Sequence, residues 1–331
     1  MIAVSRRIDD NRRATTAGLE RAARTMHGTQ DPSLARQTPS SLRAWAIASR
    51  PHTLTIAVNP VLVGSAMAWA ETGRIDLLWM LLALLGALLL QLGTNLDNDV
   101  SDFERGTDRA GRVGLPRATA LGLLSPRAVR NASRGCFVLA TVIGLALVAR
   151  GGWPILVAGL LSAAAALAYS GGPRPISYTP FGDFVVFVFF GLVAVGGSHY
   201  LQTFTLSAGV VVAATMVGLP AAAVLVVNNY RDLEPDARVG KRTLAVCLGR
   251  AFTRWEYAAL MLAPFALLLP LALLTRPHVA LLLPLAALPL SLSLVRRFWR
   301  KTPGPAFNVL LARTARFQVL FALLLCLGLT L

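Results

Sequence analysis

Residues 77–96 read LLWMLLALLGALLLQLGTNL, a run without a single charged side chain. A helix of about 20 apolar residues is long enough to cross the hydrocarbon core of a bilayer. The composition of the whole chain agrees with this, because 55% of its 331 residues are hydrophobic and only 15% are charged, whereas soluble domains carry about 25% charged residues. The sequence therefore excludes a soluble globular protein and predicts an integral membrane protein.

The apolar stretches on either side of this run predict a bundle of membrane-spanning helices. Continuously apolar runs favour helices over the alternating strands of a membrane barrel. The predicted spans are residues 54–70, 77–96, 131–149, 153–169, 184–201, 206–227, 257–274, 279–295 and 309–331. We therefore expect an all-α fold with nine transmembrane helices around a central cavity.

The distribution of basic residues predicts how these spans are oriented. Of the 32 Lys and Arg residues, 29 lie in the N-terminal tail or in the loops after the second, fourth, sixth and eighth spans. Loops rich in Lys and Arg stay on the cytoplasmic side of a membrane. The N-terminus is thus predicted to be cytoplasmic and the C-terminus to be outside, with the protein in the cell (inner) membrane.

The N-terminal tail is polar and rich in arginine. We predict a disordered cytoplasmic tail over residues 1–42, attracted to anionic lipid, and a transmembrane domain over residues 43–331. A mitochondrial transit peptide is the alternative for the tail. The net charge of +16 does not indicate a nucleic-acid-binding protein, since such proteins do not devote most of their length to Leu and Ala.

Half of the acidic residues are concentrated in two short cytoplasmic segments. Eight of the 16 Asp and Glu residues follow either the second or the sixth span. In a helix, residues spaced by four and by seven or eight share one face. That spacing relates Asn95, Asp99 and Asp102 in the first segment and Asn228, Asp232 and Asp236 in the second. The repeated Asn-x-x-x-Asp pattern suggests two halves that face each other across a cavity.

The two acidic segments have the composition of a site for a metal and a diphosphate. Carboxylates gathered at one point repel each other unless a cation lies between them. Mg²⁺ is commonly held by one or two carboxylates together with the phosphate oxygens of a substrate. The same segments also carry Arg105, Arg231 and Lys241, which could neutralise a diphosphate.

Two other interpretations of these acids are less favoured. Ordinary solvated loops of mixed charge would have acids spread over all loops and not gathered into two. A divalent-metal or phosphate transporter would carry its acids inside the spans, near the bilayer midplane. The spans here are almost free of acids apart from Asp183, at the mouth of the fifth span.

The ordered set of motifs resembles that of the UbiA superfamily of intramembrane aromatic prenyltransferases. The two Asp-rich motifs are NLDNDVSD at residues 95–102 and NNYRDLEPD at residues 228–236. Further pieces, RPHTL at residues 50–54 and YSGGPRP at residues 169–175, resemble the branch that prenylates 1,4-dihydroxy-2-naphthoate in menaquinone synthesis. The likeness covers about residues 43–331, and the extra acid Asp97 is a departure from it.

The resemblance implies an enzyme and a metal site. The implied reaction transfers a polyprenyl group from an allylic diphosphate to 1,4-dihydroxy-2-naphthoate, with loss of CO₂ and pyrophosphate, to give demethylmenaquinol. The implied cofactor is Mg²⁺. The residues expected to hold it are Asp99, Asp102, Asp108, Asp232 and Asp236.

The resemblance also implies roles for the cationic and aromatic residues near these acids. Lys241, Arg231 and Arg105 are expected to neutralise the released pyrophosphate. Tyr169 is expected to stabilise the prenyl cation through its ring face, the alternative being an interfacial aromatic. Lys241 follows the second motif closely in sequence, which favours contact with the diphosphate.

The remaining expected ligands would bind the substrates. Arg50 is expected to bind the carboxylate of the acceptor or, alternatively, to be an anchor whose charged end reaches the interface. Arg174 is the one basic residue of its loop, which favours a ligand role. Asn95 and Asn228 would be further oxygen ligands or would orient the substrates. A 4-hydroxybenzoate prenyltransferase of ubiquinone-type synthesis is the alternative enzyme.

Overall fold

The computed structural model describes residues 41–106, 114, 116–275 and 278–331. The expectation of a disordered tail falls largely outside these residues and stays a prediction. All regular secondary structure among the described residues is helical, and nine of those helices are long and apolar enough to cross a membrane. The predicted all-α architecture with nine transmembrane helices is confirmed for this part of the chain.

We number the membrane-spanning helices one to nine in chain order. Their bounds are Thr53–Thr72, Leu77–Glu104, Pro126–Gly151, Trp153–Ser170, Gly182–Thr203, Ala208–Arg231, Leu244–Leu274, Val279–Arg300 and Ala306–Thr330. In the described part of the chain, three short helices lie outside these spans, at Ser41–Ser49, Ile176–Tyr178 and Leu233–Arg238. Most spans extend a few residues beyond the apolar runs, because a helix continues into the polar interface as long as its backbone hydrogen bonds are made.

The two acidic segments differ in backbone structure. Span two continues unbroken to Glu104, so the whole first motif lies on one helix. Span six ends at Arg231, and a separate short helix starts after Asp232. The break follows from Pro235, which has no N–H to donate to the carbonyl group of Arg231 four residues earlier.

Span seven begins at Leu244, earlier than the prediction of residue 257. The hydroxyl of Thr243 caps the helix by accepting a hydrogen bond from the Val246 backbone N–H at 3.4 Å, as N-terminal Thr residues commonly do. The span is kinked at Gly249, whose φ of 76° is non-helical, and the turns after the kink carry Arg250 and Arg254. These charges lower the local hydropathy. The start of the span that was predicted from the apolar run is therefore too late in the sequence.

The core of the bundle is densest around span six. In that span 72% of the most apolar stretch is buried inside the protein, compared with 11% in spans three and four. Spans five and six cross with their backbones in contact, because a Cβ atom on Gly191 would lie 2.8 Å from the Cα atom of Gly218. Span five is π-helical over Phe187–Val193 at this crossing, and such distortions are frequent at functional sites.

Candidate active site

A cavity of about 510 Å³ lies between spans one to six. On span two its lining runs from Ala83 to Asp102, roughly 28 Å along the helix axis. Asp102 from the first acidic segment and Asp232 and Asp236 from the second lie in the same lining. The fold thus brings the two segments to one cavity, in agreement with the repeated pattern in the sequence.

The long wall of the cavity is apolar. Spans three and four contribute small residues to it, including Gly144 and Gly159. A Cβ atom added to either glycine would meet nothing within 4 Å. Span five adds the rings of Phe189 and Phe190. The cavity therefore combines a charged end with a long wall suited to a hydrocarbon chain.

Asp99 lies behind the cavity wall and is fully buried, with 0% exposure. One of its carboxylate oxygens, Oδ2, accepts hydrogen bonds from the backbone N–H of Thr119 at 3.3 Å and from the Thr119 hydroxyl at 3.1 Å. The other oxygen, Oδ1, is buried and has no hydrogen-bond partner among the described residues. Buried polar atoms are normally paired, so this oxygen is a candidate ligand for a cation.

Asp102 pairs with an arginine to which the sequence assigned no role. The Nη2 atom of Arg117 lies 2.5 Å from Oδ2 of Asp102, and both side chains are buried. Arg117 also lines the cavity. The sequence offered no signal for it, since it lies in an irregular segment after the first motif, away from the helical spacing that identified the acids.

Arg231 organises the second segment. Its guanidinium donates hydrogen bonds to both carboxylate oxygens of Asp232, at 2.8 and 2.5 Å. It also donates to Oδ1 of Asn228 at 2.7 Å and to Oδ1 of Asn308 at 2.9 Å. Such two-pronged pairs between arginine and a carboxylate are strong and directional. Arg231, Asp232 and Asn228 all line the cavity.

Lys241 is the other cation of the second segment that reaches the cavity. Its Nζ atom lies 3.4 Å from Oδ1 of Asp236, and both residues contribute to the lining. The backbone N–H of Lys241 donates to the carbonyl oxygen of Asp236 at 3.0 Å. The turn after the short helix therefore returns the lysine to the acid that precedes it.

Arg50 and Tyr169 also line the cavity. Arg50 has φ 50° and ψ 67°, in the left-handed region, which strains a residue other than glycine and is found disproportionately at functional sites. It separates the helix Ser41–Ser49 from the helix that starts at Pro51. Tyr169 is partly buried near the end of span four. The cavity is therefore lined by a cation that precedes span one and by an aromatic ring from span four.

Several of the expected site residues lie outside the cavity lining or have their side chains engaged in other contacts. Arg105 does not line the cavity, and its guanidinium donates hydrogen bonds to the carbonyl oxygens of Ser170 and Gly172. Arg174 is exposed and outside the lining. Asn95 lines the cavity, but its amide donates to the Ser49 carbonyl oxygen at 2.9 Å and to the Thr53 hydroxyl at 2.8 Å.

The acids of the two segments do not all face one point. Asp108 lies outside the described residues. Glu234 accepts a hydrogen bond from Arg250, which lowers the pKa of its carboxyl group, and neither residue lines the cavity. Among the described residues no three acid, His or Cys side chains are close enough to hold a metal by themselves. A metal there would complete its coordination with oxygens from water or from a substrate, as Mg²⁺ commonly does.

The sequence did not predict a buried hydrogen bond between a residue of span five and a residue of span six. The Nδ2 atom of Asn229 donates to Oδ1 of Asp183 at 3.2 Å. Asp183 is 6% exposed, and Asn229 lines the cavity. Asp183 is an acid within a membrane span, which by itself suggests a functional role. Its partner Asn229 lies 46 positions away in the chain, so no local pattern connects the two residues.

The sequence pattern of the UbiA prenyltransferase family matches residues 57–329. The chain is 37% identical over 301 residues to "1,4-dihydroxy-2-naphthoate octaprenyltransferase" of Escherichia coli (strain K12), covering 89% of this chain and 97% of that protein. It is 30% identical to the protein of the same name from Bacillus subtilis (strain 168), covering 85% of this chain and 90% of that protein.

Solved structures support the fold. A UbiA homolog from Archaeoglobus fulgidus bound to GPP and Mg²⁺ superimposes with a TM-score of 0.59 at 16% identity, over 87% of this chain and 100% of that one. The apo structure of a UbiA homolog from Aeropyrum pernix K1 gives 0.64 at 15% identity, over 83% and 96%. The resemblance noted in the motifs is confirmed, and this multi-pass membrane protein belongs to the UbiA prenyltransferase family.

Proposed function

We propose that this protein transfers a polyprenyl group from an allylic diphosphate to 1,4-dihydroxy-2-naphthoate, with loss of CO₂ and pyrophosphate, in a Mg²⁺-dependent reaction. One observation carries the proposal: both acidic segments, with Arg231 and Lys241, line one end of a long apolar cavity. The naphthoate is favoured as acceptor because the curated relatives named above carry that activity in their names. We expect the acids to lie on the cytoplasmic side, because the loops that carry them are rich in Lys and Arg.

The acids present fit Mg²⁺. Asp99 offers a buried oxygen that has no hydrogen-bond partner among the described residues, and Asp102, Asp232 and Asp236 offer carboxylates in the cavity lining. Hard oxygen donors of this kind suit Mg²⁺ better than softer metals. When bound, the ion supplies positive charge to a diphosphate leaving group. Asp108 is proposed as a further ligand on the resemblance alone.

The chain's own cations offset the charge that develops on the leaving group. Arg231 is held rigidly by Asp232, Asn228 and Asn308, so its position needs no rearrangement when the diphosphate departs. Lys241, whose ammonium lies 3.4 Å from the Asp236 carboxylate, adds a second cation to the same cavity. These two residues therefore assist cleavage of the bond between the allylic carbon and the diphosphate oxygen.

The acceptor is proposed to lie where Arg50 and Tyr169 reach the cavity. Arg50 would bind its carboxylate, and the Tyr169 ring would face the allylic cation. The ring carbon that bears the carboxyl group forms the new bond to the prenyl carbon. The electron pair of the broken carbon–carboxyl bond restores the aromatic ring as CO₂ leaves. The apolar wall excludes water, which would otherwise convert the cation to an alcohol.

The decisive experiment supplies purified membranes with a labelled polyprenyl diphosphate and either 1,4-dihydroxy-2-naphthoate or 4-hydroxybenzoate, with and without Mg²⁺. We expect a prenylated product from the naphthoate whose mass shows loss of CO₂, and none after addition of EDTA. Prenylation of 4-hydroxybenzoate with retention of its carboxylate would instead favour the alternative enzyme. Flux of metal or phosphate into proteoliposomes without chemical turnover would favour a transporter.

Asp232→Ala and Glu104→Ala are the matched variants for this assay. Asp232 lines the cavity, whereas Glu104 pairs with Arg130 at 2.5 Å outside its lining. Both substitutions remove one carboxylate from an acidic segment. Only Asp232→Ala should abolish turnover, and equal losses in both variants would contradict the proposed site.

A further inference from the structure

The ring of Tyr178 lies near one cation from each of the two acidic segments. This residue ends the short helix Ile176–Tyr178 in the loop between spans four and five. The guanidinium carbon of Arg105 is 5.6 Å from the centroid of its ring, and Nζ of Lys241 is 4.8 Å from the same centroid. Cations within about 6 Å of a ring centroid are attracted to the ring. One aromatic side chain thus joins the end of span two to the turn after span six.

The loop that carries Tyr178 is tied down on both sides. The backbone N–H of Arg242 donates to the Tyr178 carbonyl oxygen at 2.9 Å. Arg105 holds the start of the same loop through the carbonyl oxygens of Ser170 and Gly172. The position of the ring is therefore set by its own backbone and by neighbours from both segments.

The hydroxyl group of Tyr178 does not account for its position. The Oη atom is buried and has no hydrogen-bond partner among the described residues. A buried hydroxyl without a partner is unfavourable. The contacts of this side chain with Arg105 and Lys241 are made by its ring, so we attribute the contribution of the residue to the ring.

Lys241 needs such a contact. Its ammonium group is a compact charge on a flexible four-carbon stem, in contrast to the hydrogen-bonded guanidinium of Arg231. Within the described part of the chain, the ammonium has two side-chain contacts, with the Asp236 carboxylate at 3.4 Å and with the Tyr178 ring. Asp236 is itself a proposed metal ligand, so its contact with the lysine would weaken when a metal binds. The ring is then the contact that keeps the ammonium at the cavity.

We propose that Tyr178 is a positioning residue of the diphosphate site, and that its ring holds the Lys241 ammonium where a pyrophosphate group binds. It acts through Lys241 and does not itself contact the substrate. The inference rests on the proposed function, in which Lys241 neutralises the pyrophosphate. The inference also gives Arg105 a role outside the cavity, because its guanidinium donates hydrogen bonds to the loop and contacts the Tyr178 ring.

The test measures binding of inorganic pyrophosphate with Mg²⁺ to the purified full-length protein by titration calorimetry. Tyr178→Phe keeps the ring and should bind as the wild type does. Tyr178→Leu removes the ring and should bind about 3- to 10-fold more weakly. In turnover assays the KM for the prenyl diphosphate should rise in Tyr178→Leu while the KM for the aromatic acceptor is unchanged.

Tyr200→Leu is the matched control. This tyrosine also contacts an aromatic neighbour, Phe204, with ring centroids 6.1 Å apart, but it does not line the cavity. Pyrophosphate affinity should be unchanged in this variant. If Tyr178→Leu does not insert into the membrane, Tyr178→Met provides a second side chain without a ring.

A double-mutant cycle with Lys241→Ala decides whether Tyr178 acts through the lysine. We expect Tyr178→Leu to cause no further loss of pyrophosphate affinity in the Lys241→Ala background. The inference is overturned if the two losses are additive, or if Tyr178→Phe binds as weakly as Tyr178→Leu. Failure of the wild type to bind pyrophosphate at all would instead count against the proposed function.

Discussion

Replacing Arg231 with methionine tests whether the second acidic segment is built to receive a cation. Arg231 and Asp232 are 2% and 7% exposed, and the guanidinium donates to both carboxylate oxygens. Methionine has a flexible apolar side chain that fills irregular space but carries no charge. The variant therefore leaves the Asp232 carboxylate buried without its partner.

The expected loss of stability follows from this burial. Removing one partner of a buried ion pair typically costs about 3–5 kcal/mol. A loss of that size lowers the melting temperature of a chain of this length by on the order of 5–10 °C. Mg²⁺ should restore more stability to the variant than to the wild type, because the ion replaces the missing positive charge beside Asp232. Turnover should stay low, since the leaving group has lost a cation.

The assay is thermal unfolding of the purified protein in detergent, with and without Mg²⁺, together with prenyl transfer. Arg250→Met is the control, because its pair with Glu234 is exposed, at 52% and 39% of the two side chains, and exposed pairs contribute little. Arg231→Met/Asp232→Asn should recover stability without Mg²⁺ but not activity. The reasoning is refuted if Arg231→Met melts as the wild type does and responds to Mg²⁺ no more strongly.

Three further predictions concern the site and the topology. Asp99→Ala should abolish turnover while the protein still inserts, because a proposed metal ligand is removed; full activity would exclude Asp99 as a ligand. Lys241→Ala should slow hydrolysis of the prenyl diphosphate to the alcohol. Arg50→Ala should mainly raise the KM for the aromatic acid, with a loss of binding free energy of about 1.5–3 kcal/mol. The reverse pattern would exchange their roles. Cysteines placed near Asp236 should be labelled from the cytoplasm and one near Leu331 from outside; labelling of both from one face would contradict the nine-span topology.

Hydropathy alone predicted the number and order of the spans, because burial in lipid requires long apolar runs. It missed the start of span seven, where Arg250 and Arg254 interrupt the apolar pattern just after a kink at Gly249. It also could not show that span six ends before Asp232. That break depends on the missing N–H of Pro235. The backbone N–H of Asp232 still donates a hydrogen bond to the Asn228 carbonyl oxygen, at 3.1 Å, so the helical spacing is kept up to the break.

The candidate site was predictable where its residues lie on one helix and not where they come from different parts of the chain. The helical spacing found Asp102, which lines the cavity. It could not find Arg117 or the ring of Tyr178, because contacts between distant segments leave no local pattern. Arg105 was expected in the site because the first segment carries it, but its guanidinium donates hydrogen bonds to the backbone of the neighbouring loop.

The crossing of Gly191 and Gly218 has a consequence for how related enzymes diverge in prenyl chain length. A side chain at either position would have to push two backbones apart, so natural variation cannot easily reshape the cavity there. At Gly144 and Gly159, in contrast, a new methyl group meets empty space within the lining. Single substitutions on spans three and four could shorten the room for an isoprenoid while the densely packed half of the bundle stays unchanged. Selection for a shorter or longer prenyl chain would then change residues on spans three and four.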